Sequence, residues 1–167
     1  MKNLRQSVSG FTLIELMVVV SVIGVLAAFA LSSFTSLTQS TQAKNASFEL
    51  FTNLLLARSE AIKSNGNVTL TPVNAANWGQ GWTITTAAGA TIKNQAALKG
   101  ATTVGNKAPT LTITLGPASV VYARTGRTAA AAFQIDVTPV NANVRRCIVI
   151  GLSGMPYTKP MPVATCP

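Results

Sequence analysis

Few side chains in this 167-residue chain could carry out chemistry. Histidine is absent, which excludes Ser-His-Asp and Cys-His catalysis and every histidine-containing metal site. Two cysteines cannot form a four-cysteine zinc site. The four acids, Glu15, Glu49, Glu60 and Asp136, are few and widely spaced, and leave almost no material for a carboxylate metal site or an acid–base pair. No catalytic residue, metal or cofactor is expected, and a structural role is expected in place of an enzymatic one. Three features remain. Glu15 opens an apolar run, Cys147 and Cys166 stand near the C-terminus, and an excess of Lys and Arg (13 against 4 acids) gives a net charge of +9. Only 10% of residues are charged, against about 25% in ordinary soluble chains. That shortfall points to a membrane segment or a large packing surface.

The apolar run must position Glu15. Between residues 11 and 34 Glu15 is the only charge, and from 16 to 31 every residue is apolar or small. As a helix this stretch spans about 36 Å, enough to cross a hydrocarbon core of about 30 Å. Lys2 and Arg5 precede it, so the N-terminus stays cytoplasmic and the rest is sent outward. An ordinary cleaved signal peptide would have a shorter apolar stretch and no acid at its start. A carboxylate within a bilayer costs about 2.5–3.5 kcal/mol and is normally partnered. No basic residue lies one helical turn from Glu15, so its partner is expected from another chain or from a newly created N-terminus.

Gly10-Phe11-Thr12-Leu13-Ile14-Glu15 resembles the processing site of type IV pilins and type II secretion pseudopilins. These have a short basic leader ending in Gly, then Phe, then Glu four residues later at the head of an apolar helix. The resemblance implies that a prepilin peptidase cuts after Gly10 and methylates the amine of Phe11. It also implies that Glu15 meets the N-terminal amine of a neighbouring subunit during assembly. Ser32 stands where many relatives have proline, while the helix-weakening Gly24 is retained.

Beyond residue 34 the chain turns polar, and then Ala43, Ala46, Leu50, Leu54, Ala57 and Ala61 recur at steps of three and four. Phe51, Leu55 and Ile62 widen this stripe. It predicts an amphipathic helix packing one face on a domain, with Asn65-Gly66 as its stop. The whole helix is expected over about 11–64, near 80 Å at 1.5 Å per residue. Glu49 and Glu60 read as exposed polar-face residues. Leu54-Leu55-Leu56-Ala57-Arg58-Ser59-Glu60-Ala61 is similar to a segment of the GspH/FimT family of minor pilins and pseudopilins. The C-terminal cysteine pair places the resemblance nearest the FimU branch.

From residue 67 the period changes to two. Val68 and Leu70, Trp82 and Ile84, Leu111, Ile113 and Leu115, and Phe133, Ile135 and Val137 alternate with polar residues. A further run begins at Arg145-Arg146-Cys147. These read as half-buried antiparallel strands, and Gly79-Gln80-Gly81 reads as a turn before Trp82. The expected class is α+β and type IV pilin-like: a long N-terminal helix, transmembrane in its first half, packed on a C-terminal antiparallel β-sheet domain. The expected parts are a cleaved leader (1–10), a transmembrane and filament-core helix (11–34), an amphipathic helix (35–66) and a β domain (67–167). If that domain is exported, Cys147 and Cys166 should be bonded. Free thiols are the alternative. A loop of this size is worth about 3 kcal/mol in the chain-entropy model.

Arg124 with Arg127 and Arg145 with Arg146, helped by Lys159, are the basic clusters. They read first as exposed loop and edge-strand charges that discourage sheet aggregation. The second reading is phosphate contact with DNA. Some relatives of the FimT branch bind DNA through an Arg-rich G-R-x-R motif. This chain has Ser153-Gly154-Met155-Pro156-Tyr157-Thr158-Lys159 at the matching place, so DNA is the less favoured partner. The expected function is that of a minor pilin that helps prime a type IV pilus and joins its tip complex. The alternatives are a type II secretion pseudopilin of the H type, and a DNA-binding minor pilin for natural transformation. The expected partners are other minor pilins, the major pilin, the prepilin peptidase and an inner-membrane assembly platform. The expected location is the bacterial inner membrane with the β domain in the periplasm, and then the pilus.

Overall fold

The computed structural model describes residues 10–103, 108–138, 144–160 and 166; the side chains of 28–33 lie outside the described set. One helix, α1 (Leu13–Lys63), is followed by eight strands: β1 (Val68–Pro72), β2 (Trp82–Thr86), β3 (Thr91–Gln95), β4 (Leu111–Thr114), β5 (Val120–Tyr122), β6 (Ala131–Val137), β7 (Arg146–Ile150) and β8 (Pro156–Pro160). A 3-10 turn, Trp78–Gln80, separates β1 from β2. The chain divides into two compact units, Met1–Thr38 and Gln39–Pro167.

In the first unit the described side chains from residue 10 to 27 are all exposed, and nearly all are apolar. Ser21 Oγ returns a hydrogen bond to the carbonyl of Met17 at 2.8 Å, which hides its polarity within the helix. Among the described residues no helix is long and apolar enough to cross a membrane. The described side chains before residue 28 cover only Leu13 to Ala27, about 22 Å at 1.5 Å per residue, and the expected 11–34 span runs on through 28–33.

In the second unit all six residues of the expected stripe are buried, with Leu50 and Leu54 wholly so. Each such leucine contributes about 1.5–3 kcal/mol. Ile62, placed on the same stripe by its spacing, stays nearly half exposed, because the helix is about to end. The end is a Schellman motif one residue earlier than the glycine suggests. Asn65 takes the left-handed conformation (φ 49°). The Gly66 N–H donates to Ala61 O at 3.2 Å, and the Asn65 N–H donates to Ile62 O at 3.3 Å. Glu49 and Glu60 are half-buried, not exposed as expected, and Glu60 accepts from Lys63 at 3.2 Å.

The strands form two four-stranded sheets, ordered β3-β2-β1-β5 and β4-β6-β7-β8, with every pairing antiparallel. The alternating runs expected from the sequence become β1, β2, β4, β6 and β7. β3, β5 and β8 were not expected: they are short, or their outward residues are polar and exposed, so they lack a clean period of two. One core joins α1 to both sheets. Trp78 bridges them. Its ring meets Phe133 of β6 edge-on at 5.0 Å and lies 6.4 Å from Trp82 of β2, and its Nε1–H donates to Pro117 O at 3.0 Å. Beside it the buried Asn77 accepts from the N–H of Gly79 at 3.0 Å and from that of Ile113 in β4 at 2.9 Å.

Cys147 and Cys166 are bonded, with Cα atoms 5.8 Å apart. Gln134 of β6 supports the bridge by accepting the Cys166 N–H at 3.3 Å. Replacing both cysteines by alanine should lower the stability of the full chain in detergent by about 2–5 kcal/mol. The check is the shift of the urea midpoint relative to the unreduced native chain.

Candidate assembly site and basic clusters

The helix start is built by Thr12 and Glu15. Thr12 precedes the first helical residue, and its Oγ1 accepts the Glu15 N–H at 3.3 Å. In return Glu15 Oε2 accepts from the Thr12 N–H and from the Thr12 hydroxyl, each at 3.4 Å. This is a capping box, a reciprocal use of donors that the helix itself leaves unpaired. Glu15 also sits where the positive end of the helix dipole favours a carboxylate. The neutral contact with Thr12 is not the charged partner expected from another chain or from a newly created N-terminus. Thr12 is an intrachain hydrogen-bond partner, though a neutral one at long distance. The signal was present in the sequence as T-x-x-E before an apolar run. Gly10 and Phe11 precede the helix in exposed, non-helical chain, with open space around Gly10. The bond expected to be cut is thus accessible. The leader residues 1–9 lie outside the described residues.

The five basic residues proposed for phosphate lie in two places: on the connection from β5 to β6, and on or beside β7 and β8 of the second sheet. Arg124 and Arg127 are exposed on the connection from β5 to β6, on either side of the buried Gly126. The turn there is closed by the Gly126 N–H to Ala123 O at 2.7 Å and by the Ala123 N–H to Arg127 O at 2.8 Å. Arg145 and Arg146 are not edge-strand charges as expected. Arg145 lies just before β7 and Arg146 opens it, and β7 is an interior strand flanked by β6 and β8. Arg145 Nε donates to Asp136 Oδ1 at 2.6 Å, with both side chains mostly buried, and Gln134 Nε2 donates to the other Asp136 oxygen at 2.7 Å. Removing Asp136 would leave a largely buried guanidinium without its charge partner. Lys159 is exposed on the edge strand β8, opposite Cys147, while Arg146 is opposite Pro160. Neighbouring strand positions point to opposite faces, so Arg146 and Lys159 do not share one. Among the described residues no three His, Cys, Asp or Glu side chains come together as a metal site.

Arg58, from the second family-like segment, is read as orienting the helix on its sheet, and it ties α1 to the β5–β6 connection. Its Nε donates to the Gly126 carbonyl at 3.1 Å. Behind it lies Tyr122, wholly buried, whose hydroxyl finds no hydrogen-bond partner among the described residues. Burial pushes the Tyr122 phenol up to about 12, with the Arg58 guanidinium pulling slightly the other way.

The family model of the type II transport protein GspH matches residues 46–154. The chain belongs to the GspH family. That region begins within the buried helix stripe, includes Arg58 and the turn at Gly126, and ends at Gly154. The model of the prokaryotic N-terminal methylation motif matches residues 5–31, which contain Gly10, Phe11 and Glu15. No curated protein sequence matches the chain. Two crystal structures of the type IV minor pilin FimU of Pseudomonas aeruginosa (strain PAO1) share the fold, each at 21% identity. Their TM-scores are 0.57 and 0.59, and they cover 70% and 74% of this chain and 92% of their own.

Tyr122 gives this GspH-family domain an alkaline limit. The phenol ionises near pH 10 in the unfolded chain and near about 12 in the folded one. Between those values the unfolded chain has lost a proton that the folded chain keeps. The contribution is therefore complete below pH 10 and is lost as pH rises through 12. Tyr122→Phe should leave neutral-pH stability unchanged or raised, since the hydroxyl makes no hydrogen bond among the described residues. It should also flatten the loss of stability between pH 10 and 12, as read from denaturant midpoints of the two proteins.

Proposed function

We propose that the protein is a minor pilin that helps prime assembly of a type IV pilus and is incorporated in its tip complex. One observation carries this reading. From residue 10 to 27 the helix segment exposes apolar side chains on all sides, and a capped carboxylate stands at its head. Such a surface is stable only in a bilayer or among neighbouring helices. A precursor held in the inner membrane and a subunit packed in a filament are the two covered states. The proposed organisation is a leader at 1–10, a membrane and filament-core helix at 11–34, an amphipathic helix at 35–66 and an exported β domain at 67–167. The disulfide suits an oxidising compartment. The proposed partners are the major pilin and other minor pilins, with the prepilin peptidase and the inner-membrane platform acting on the precursor.

A pseudopilin of a type II secretion system is the second reading, favoured by the description of the matched family. The likeness to FimU, a pilus subunit, favours the first. DNA is not a proposed ligand: Arg145 is held by Asp136, and Arg146 and Lys159 lie on opposite faces of their sheet.

Two tests follow from the N-terminus. Intact-mass analysis of the mature chain should give a protein that begins at Phe11 and carries one added methyl. A chain that begins after Ala27 or Ala28 would overturn the processing assignment. Glu15→Gln keeps a capping-box acceptor but removes the charge, whereas Glu15→Ala removes both. Both variants should enter the membrane at least as well as the wild type, since a desolvation cost is gone. Both should be depleted from sheared filaments if the pairing with a neighbour's amine is ionic. Normal incorporation of Glu15→Gln would leave only the cap as the role of Glu15.

A further inference from the structure

Two glycines bring distant parts of the second unit together. Gly126 (φ 73°) and Gly154 (φ 77°) both hold backbone conformations that side-chain-bearing residues rarely adopt. A side chain at Gly154 would strike the carbonyl of Gly126, so the β7–β8 turn lies directly on the β5–β6 connection. The residues on either side of this contact form one surface. Arg124 and Arg127 come from one loop, and Leu152 and Met155, 62% and 53% exposed, come from the other. Ile62 from the last turn of α1 reaches Gly126 and is 48% exposed. The surface is rigid for its position. Arg58 holds the Gly126 carbonyl, and the Gly154 N–H closes its own turn on Gly151 O at 2.9 Å.

Three apolar side chains and two arginines make a composition typical of the centre of a protein interface. Among the described residues neither arginine forms an ion pair. A second copy of the chain is a poor match. The chain carries 4 acids against 13 Lys and Arg, and Glu60 and Asp136 are already paired with Lys63 and Arg145. A nucleic acid would use the arginines and leave the three apolar groups in water. A protein that presents an apolar contact flanked by carboxylates satisfies both halves of the surface.

We propose that Ile62, Arg124, Arg127, Leu152 and Met155 form a docking surface for a different pilin subunit, one whose globular domain is acidic. The proposal rests on reading the chain as a pilin and adds which face is used and the charge of the partner. Arg58 is then a positioning residue: it fixes the loop that displays the two arginines. A surface already held in shape loses little conformational freedom on binding.

The experiment uses the full chain in its own membrane, with the photo-crosslinker benzoylphenylalanine placed at Leu152, at Met155 and, as a control, at Val73. Val73 is 70% exposed and follows the end of β1 opposite to the Val68–Tyr122 pair. Mass spectrometry of the adducts should identify another pilin with an acidic globular domain at 152 and 155 and not at 73. Arg124→Glu with Arg127→Glu should reduce that adduct about tenfold or more, while the level of disulfide-bonded chain stays unchanged. An adduct formed only with other copies of this chain, an adduct removed by nuclease, or one insensitive to charge reversal overturns the proposal. A chain with the crosslinker at 152 or 155 and both arginines retained that is found in sheared filaments but gives no adduct also overturns it and leaves the pilus reading intact. A chain absent from filaments that still gives the acidic-pilin adduct upholds the docking surface and overturns the pilus assignment alone.

Discussion

Six residues of α1, spaced three or four apart from Ala43 to Ala61, form the surface against which both sheets close. Four of the six are alanines, and Leu50 and Leu54 fill the centre. Neither sheet could stand alone. Each has four short strands with one apolar face, and that face must be buried against something. The helix stripe supplies one wall, and Trp78 fills the junction where β2 and β6 would otherwise leave a gap. Asn77 satisfies the backbone donors that this junction would strand, a requirement as strict as the apolar packing itself.

The helix is one element under two different demands. Its stripe in the second unit is covered by the chain's own strands. Its first fifteen residues, from Leu13, carry apolar side chains that no described part of the chain covers. The Thr12–Glu15 box lies at the head of that uncovered stretch. It lets a carboxylate be retained there without a cation among the described residues, because the carboxylate serves a backbone donor that would otherwise be unsatisfied. The same residue can therefore both begin the helix and remain available to a positive group from outside it.

The few acids decide how the many cations are used. Asp136 holds Arg145 in a largely buried pair and is itself held by Gln134, which also braces the Cys166 backbone. One carboxylate thus ties the start of β7, the middle of β6 and the disulfide-bonded tail together. With Arg145 engaged and Lys159 and Arg146 on opposite faces, the positive charge is not gathered on one side. Arg124 and Arg127 differ from the rest. They are exposed, free of ion pairs among the described residues, and carried on the connection against which the β7–β8 turn lies.

The long helix, the change of period near residue 67, the helix stripe and the processing motif are all legible along the chain. Each is written in local spacing: three and four for α1, two for β1, β2, β4, β6 and β7, and a fixed five-residue interval from Gly10 to Glu15. The cysteine pairing was also within reach, because the chain has only two cysteines. The tertiary structure alone decided that the strands divide into two sheets, since pairing partners are set by contacts far apart in the chain. It also decided the fate of the charges. Arg145 and Arg124 are the same residue type in similar basic pairs, yet one faces Asp136 across a strand and the other faces solvent on a loop. The surface around Gly126 and Gly154 was out of reach for the same reason. Its five residues come from three segments of the chain, and they become neighbours only because two glycines let two turns touch.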